Sequence, residues 1–165
     1  MSLEHSEKNH FFIRVADGVN FKNSKYPMWG FKSCKGGTKT YINNHMKSGD
    51  ILWFITSKMA TKTTSIVVGM AEYVDMFDRH NEDLIKFNTY TNKDMGWTLD
   101  TDWDIQISYK NLYCGKTIEK HNFYTPFPGS GFILKLENVS RKTPIDFKNE
   151  YELITNYAEP SKYFE

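Results

Sequence analysis

Apolar residues recur at every second position through residues 10–16 (HFFIRVA), where Phe11, Ile13 and Val15 oppose Phe12 and Arg14. A period of two marks a strand with one face in a core. Residues 50–56 (DILWFIT) are apolar on both faces, which predicts a central strand buried from both sides. Residues 65–74 (SIVVGMAEYV) predict another strand, with Gly69 and Ala71 leaving room on one face for a second backbone to approach. In residues 103–109 (WDIQISY), Trp103, Ile105, Ile107 and Tyr109 point inward and Asp104, Gln106 and Ser108 outward. Residues 131–137 (GFILKLE) repeat the alternation with Phe132, Leu134 and Leu136.

Helical periodicity is confined to short stretches. Residues 38–47 place Tyr41, Ile42, His45 and Met46 on one face and stop at Ser48-Gly49. Residues 20–25 suit a single turn and residues 82–87 a second short helix. A C-terminal helix over residues 144–157, capped by Thr143, carries Phe147, Tyr151 and Ile154 on one stripe. Strands with scattered short helices define an α+β chain: a mixed pseudo-barrel of about five to six strands with short peripheral helices. Residues 1–9 read as a flexible polar end, and residues 10–165 as one domain without repeat or linker.

Composition narrows the chemistry. The chain of 165 residues is long enough to bury a core without staples. Its two cysteines, Cys34 and Cys114, make no disulfide framework and have no partner at zinc-ligand spacing. No signal peptide or membrane-length apolar run is present, so the expected setting is intracellular, and the Asn138-Val-Ser140 sequon is expected to stay idle. The net charge of +1 is low for a protein that binds nucleic acid by charge alone. The charges are unevenly spread, however. Lys22, Lys25, Lys32, Lys35, Lys39 and Lys47 occupy a segment without a single acid, while the acids gather after Glu72.

Three catalytic readings fall away on spacing. The Gly36-Gly37-Thr38-Lys39 run inverts the Gly-Lys-Thr order of a phosphate loop and follows no apolar strand, so it reads as a turn. Cys34 has no histidine in a recognisable partner motif, as a thiol nucleophile requires. Asp100, Asp102 and Asp104 read as a solvated strand entry rather than as paired carboxylates or a metal site. The tryptophans divide differently. Trp53 and Trp103 lie on apolar strand faces and read as core. Trp29, beside Gly30, and Trp97, beside Gly96, lie in polar surroundings that read as loops. Each either pins its loop to the barrel or offers a flat ligand a stacking surface.

The ordered set HFFIRVA, DGVNFKNSKYPMWG, MKSGDILWFIT, TSIVVGMAEYV and DMFDR resembles the EVE domains of the PUA-like superfamily. It is also similar to the YTH domains, close relatives in fold. The resemblance covers residues 10 to about 113 well and the last third loosely. It implies a small pseudo-barrel with a pocket for a flipped-out, modified nucleobase held in an aromatic cage. Trp29 and Trp97 match the two cage tryptophans, and Asp17 and Asn20 fall near the polar groups that read the base edge. Phe87, Tyr90 and Met95 are the positional candidates for a third wall. Lys32 and Lys35, nearest Trp29, are the expected phosphate contacts.

The implied partner is RNA or DNA carrying a modified base, with no cofactor, metal or membrane. Many EVE domains are linked to modified cytosines in DNA, and YTH domains to N6-methyladenine in RNA; the base stays open here because residues 81–93 match neither pattern. The rival readings are an ASCH-like nuclease or small-amide hydrolase, which would pair Lys32 with Asp17 or Asp104, and a protein-interaction module.

Overall fold

The computed structural model describes residues 8–31, 37–56, 64–78, 90–97, 103–119, 124–126, 132–136 and 146–161. Seven strands lie among them: β1 (His10–Arg14), β2 (Met28–Phe31), β3 (Ile51–Ile55), β4 (Thr64–Asp78), β5 (Ile105–Cys114), β6 (Tyr124–Pro126) and β7 (Ile133–Lys135). They run in the order β2-β5-β4-β3-β1-β7, with β6 pairing β4 off this path. The β1–β3 pair is parallel and every other pair is antiparallel. The helices are α1 (Val19–Asn23), α2 (Gly37–His45), α3 (Asn92–Met95), α4 (Lys116–Glu119) and α5 (Phe147–Tyr157). The architecture is the α+β half-barrel with short helices that the patterning predicts. The helix expected over residues 82–87 lies outside the described residues.

The central strands bury both faces because each face has its own core. From β1 and β3, Phe11, Ile13, Leu52 and Phe54 enter one cluster, which α1 closes with Phe21. From the same strands, Phe12, Ile51, Trp53 and Ile55 enter the other, where Phe147 and Ile154 of α5 cover them. Helix α5 starts later than expected. Asp146 is its cap, accepting from the Asn149 backbone N–H at 3.1 Å, so Thr143 is not. The Lys-Ser-Gly-Asp turn ends at Asp50, whose buried carboxylate accepts the backbone N–H of Asn9 at 3.1 Å and of Lys47 at 2.8 Å. Lys8 also donates to the Tyr151 hydroxyl of α5 at 3.2 Å.

A bulge keeps β5 on one core. Lys110 pairs with Glu72 and Tyr113 with Met70, so β5 spends an extra residue there, and Asn111 takes a φ of 52°. An added residue reverses the alternation. Hence Ile105, Ile107 and Tyr109 before it and Leu112 and Cys114 after it all face the same cluster. The small residue Gly69 on β4 admits a ring rather than a backbone: a Cβ there would stand 2.8 Å from Phe21 Cζ.

The sheet curls. Four inter-strand steps separate β2 from β1, about 19 Å across a flat sheet. Yet Gly30 and Phe31 of β2 share a cavity with Val15, just after β1, and Phe132, just before β7. The seam of the half-barrel therefore opens onto that cavity.

Candidate functional site

The cavity has a volume of about 360 Å³. That lies at the small end of the roughly 300–1,000 Å³ typical of small-ligand sites. Trp29, Trp97 and Trp103 line it, together with Arg14, Ala16, Asp17, Asn20, Gly30, Thr38 and Phe132 among others. Of the sequence candidates, Trp29, Trp97, Asp17, Asn20 and Gly30 thus come together, while Lys32 and Lys35 lie outside the described residues.

The tryptophans are held differently from the expectation. Trp29 sits on β2, opposite Ile107 of β5, rather than in a loop, and it is half-buried. Trp97 is buried, with 6% of its surface exposed. Their ring centroids are 5.4 Å apart at 69°, an edge-to-face contact. The two rings touch each other, so no flat ligand fits between them, and a flat ligand would have to lie against this corner. Trp103, expected in the core, is half-buried and lines the cavity. It supplies the third aromatic wall. Tyr90 and Met95 instead pack behind Trp97 in a small cluster with Met28, and Phe87 lies outside the described residues.

Local sequence explains how Trp97 is delivered. Thr91 caps α3 by accepting from the Asp94 backbone N–H at 3.1 Å, and Asp94 returns the contact to the Thr91 N–H. Gly96 ends the helix with a φ of 81°, a conformation glycine adopts without strain. The Trp97 indole N–H then donates to Ser24 Oγ at 2.9 Å, and that hydroxyl donates to the Asn20 carbonyl at 2.9 Å. This relay ties Trp97 to α1, the element that carries Asn20 into the cavity.

Trp103 is placed from below. Gln106, expected to point outward, is fully buried. Its side-chain amide donates to the carbonyls of Trp103 at 2.9 Å and Tyr90 at 2.7 Å, and its oxygen accepts from the Tyr90 N–H at 2.9 Å. A single glutamine so fixes the backbone on both sides of the aromatic wall. Gly30 provides the space: a Cβ on it would collide with Trp103 Cβ and stand 3.3 Å from Trp97 Cζ3.

The polar rim is sparse. Asp17 is exposed, and its Oδ1 accepts from the Val19 N–H at 3.0 Å, which opens α1. Ala16 takes a φ of 52°, in the left-handed region that costs a non-glycine residue about 1–2 kcal/mol. Arg14 is buried, and burial pushes its guanidinium below the ordinary value; with so high an ordinary value it stays a cation at neutral pH. Among the described residues, no group of three His, Cys, Asp or Glu side chains could hold a metal ion. No described helix is long and apolar enough to cross a membrane. Such a lining suits stacking and desolvation of a flat ring, with few directional contacts.

Sequence reasoning missed Trp103, Ser24, Gln106 and Phe132. For Trp103 the available signal was its position two residues before Ile105, flanked by the polar Asp102 and Asp104. Nothing in the sequence marks Ser24 or Gln106 as supports.

In comparison with solved structures, the chain is similar to the crystal structure of the MmI1 YTH domain, at 13% sequence identity and a TM-score of 0.41, over 90% of this chain and 99% of that one. No family model matches the chain, and no curated protein does. The likeness to EVE domains therefore stays with the motifs quoted above.

Proposed function

We propose that this chain is a non-enzymatic nucleic-acid-binding module that takes a modified nucleobase into the cavity between Trp29, Trp97 and Trp103. The observation that carries the reading is the convergence of three tryptophans on one small cavity, from β2, from the end of α3 and from the entry to β5. Stacking on aromatic faces is worth about 1–3 kcal/mol per base and tolerates any ring. A methyl on that ring adds about 0.8 kcal/mol when the cage desolvates it. Asp17 and Asn20 offer polar groups to the base edge at the open side. Lys32 and Lys35, a few residues beyond Trp29, supply phosphate contacts. A concave cavity with an aromatic corner favours this reading over a flat protein-docking face.

The test is a titration of the purified chain with N6-methyladenosine, 5-methylcytidine and their unmodified parents, free and within single-stranded heptanucleotides. Quenching of tryptophan fluorescence reports occupancy. Tighter binding of one modified base than of its parent supports the cage, and equal binding of modified and parent bases refutes it. Replacing Lys32 and Lys35 together should flatten the dependence of log affinity on log salt by about 0.7 per lost contact.

A further inference from the structure

Phe132 is an anomaly on the sheet. The alternation of residues 131–137 predicts it inward with Leu134 and Leu136, and those two do pack against the core that α5 covers. Phe132 itself is 64% exposed and lines the cavity. Its backbone is not loose, because its carbonyl accepts from the Arg14 N–H at 3.0 Å, one step beyond the β1–β7 pairing of Ile13 with Ile133. A fixed backbone thus presents a large apolar ring to solvent at the cavity. It does so from the β1–β7 side of the seam, whereas Trp29 comes from the β2 side.

We infer that Phe132 is a second stacking site, for the unpaired base next to the nucleotide held by the tryptophans, and that the module reads a single strand. The inference rests on the proposed cage and deepens it. A nucleotide inserted in the cavity leaves its neighbour at the rim, where the exposed ring of Phe132 offers a face. In a duplex that neighbour is already stacked and paired, so its faces are not available. Charge agrees with this choice: a net charge of +1 gives little to hold both phosphate strands of a duplex, whereas stacking on a single strand needs less. Recognition therefore extends to a dinucleotide step, with the tryptophans taking one base and Phe132 the next.

The experiment compares the parent with Phe132→Ala and Phe132→Tyr. The probes are free N6-methyladenosine and 5-methylcytidine, single-stranded heptanucleotides with each at the centre, and the same heptanucleotides in duplex. Phe132 is exposed, so thermal melts of all three proteins should coincide. In the parent, the strand should bind more than tenfold tighter than the free nucleoside, with one added stack contributing about tenfold and phosphate contacts the rest. Phe132→Ala should weaken strand binding about fivefold or more beyond any change in nucleoside affinity, and Phe132→Tyr should not. The inference is overturned if Phe132→Ala keeps the parent's full strand gain, or if duplex binds as tightly as single strand. A parent that binds neither nucleoside nor strand removes the cage reading, and this inference with it. A parent that binds nucleosides with no strand gain removes the second site alone.

Discussion

Trp97 and Trp103 line the same cavity, yet their replacement by alanine should have opposite signatures. Trp97 is 6% exposed, packs with Met28 and Met95, and donates its indole N–H to Ser24. Truncating such a ring costs about 3–5 kcal/mol, out of the roughly 5–15 kcal/mol that holds a domain together. At about 2–4 °C per kcal/mol for a chain of this size, the melting point should fall by about 6–20 °C. Trp103 is half-buried, and its backbone anchor to Gln106 uses the main-chain carbonyl, which alanine keeps. Trp103→Ala should therefore melt within a few degrees of the parent and lose the contribution of one stack. Stacking worth about 1–3 kcal/mol corresponds to a roughly 5- to 150-fold loss of affinity. Differential scanning fluorimetry measures the first quantity, and titration with the tightest-binding heptanucleotide the second. Parental affinity in Trp103→Ala would show that its ring is only packing and would remove the third wall. Loss of fold in that variant would return Trp103 to the core.

Other substitutions probe the supports. Gly30→Ala drives a Cβ into Trp103 and should destabilise by about 1–3 kcal/mol while weakening base binding, read by the same melt and titration. Ser24→Ala leaves the buried Trp97 N–H without its acceptor and should cost about 1–3 kcal/mol in a denaturant titration, whereas Ser24→Thr retains the hydroxyl. Tyr109 is buried with no hydrogen-bond partner for its hydroxyl among the described residues, so Tyr109→Phe should stabilise the protein at pH 7 by up to about 1–3 kcal/mol, raising the melting point. Burial, reinforced by Cys114, pushes the Tyr109 hydroxyl above its ordinary value, so the neutral form belongs to the fold. That stability is fully present below about pH 10, where an unfolded tyrosine titrates, and drains away as pH rises further. Melts from pH 8 to 11 should show Tyr109→Phe losing less stability than the parent, by about 1.4 kcal/mol per pH unit above 10.

Five of the seven described strands were legible because their periodicity is strong and local, whereas the short β2 and β6 were not. Two-sided burial of β3 follows from seven consecutive letters, DILWFIT, and needs no tertiary information. The helices α2 and α5 were legible to within a few residues at their ends for the same reason. What alternation could not give was the consequence of interruptions. The extra residue at Asn111 reverses the faces of β5, and Phe132, one residue before β7, lines the cavity instead of following the inward alternation. Both depend on how strands pair, which no single stretch encodes.

The cage divides along the same line. Trp29 and Trp97, singled out by their polar surroundings and matched by the resemblance, and Asp17 and Asn20, given by the resemblance alone, lie on the cavity together. Trp103 was lost because the rule that found the strand also assigned its first residue to the core. A strand's entry residue has a neighbour on only one side, so alternation continues through it in sequence while packing does not. Gln106 shows the converse. Its polar side chain on an expected outer face is buried because the Tyr90 backbone lies against that face and exchanges two hydrogen bonds with the Gln106 amide, which gives a third to the Trp103 carbonyl. A glutamine there is compatible with solvent and with a satisfied buried network alike, and only the position of a segment some fifteen residues away decides between them. The supports of the site are thus harder to read than its walls. A stacking surface announces itself by residue type, whereas a support is defined by the groups it meets.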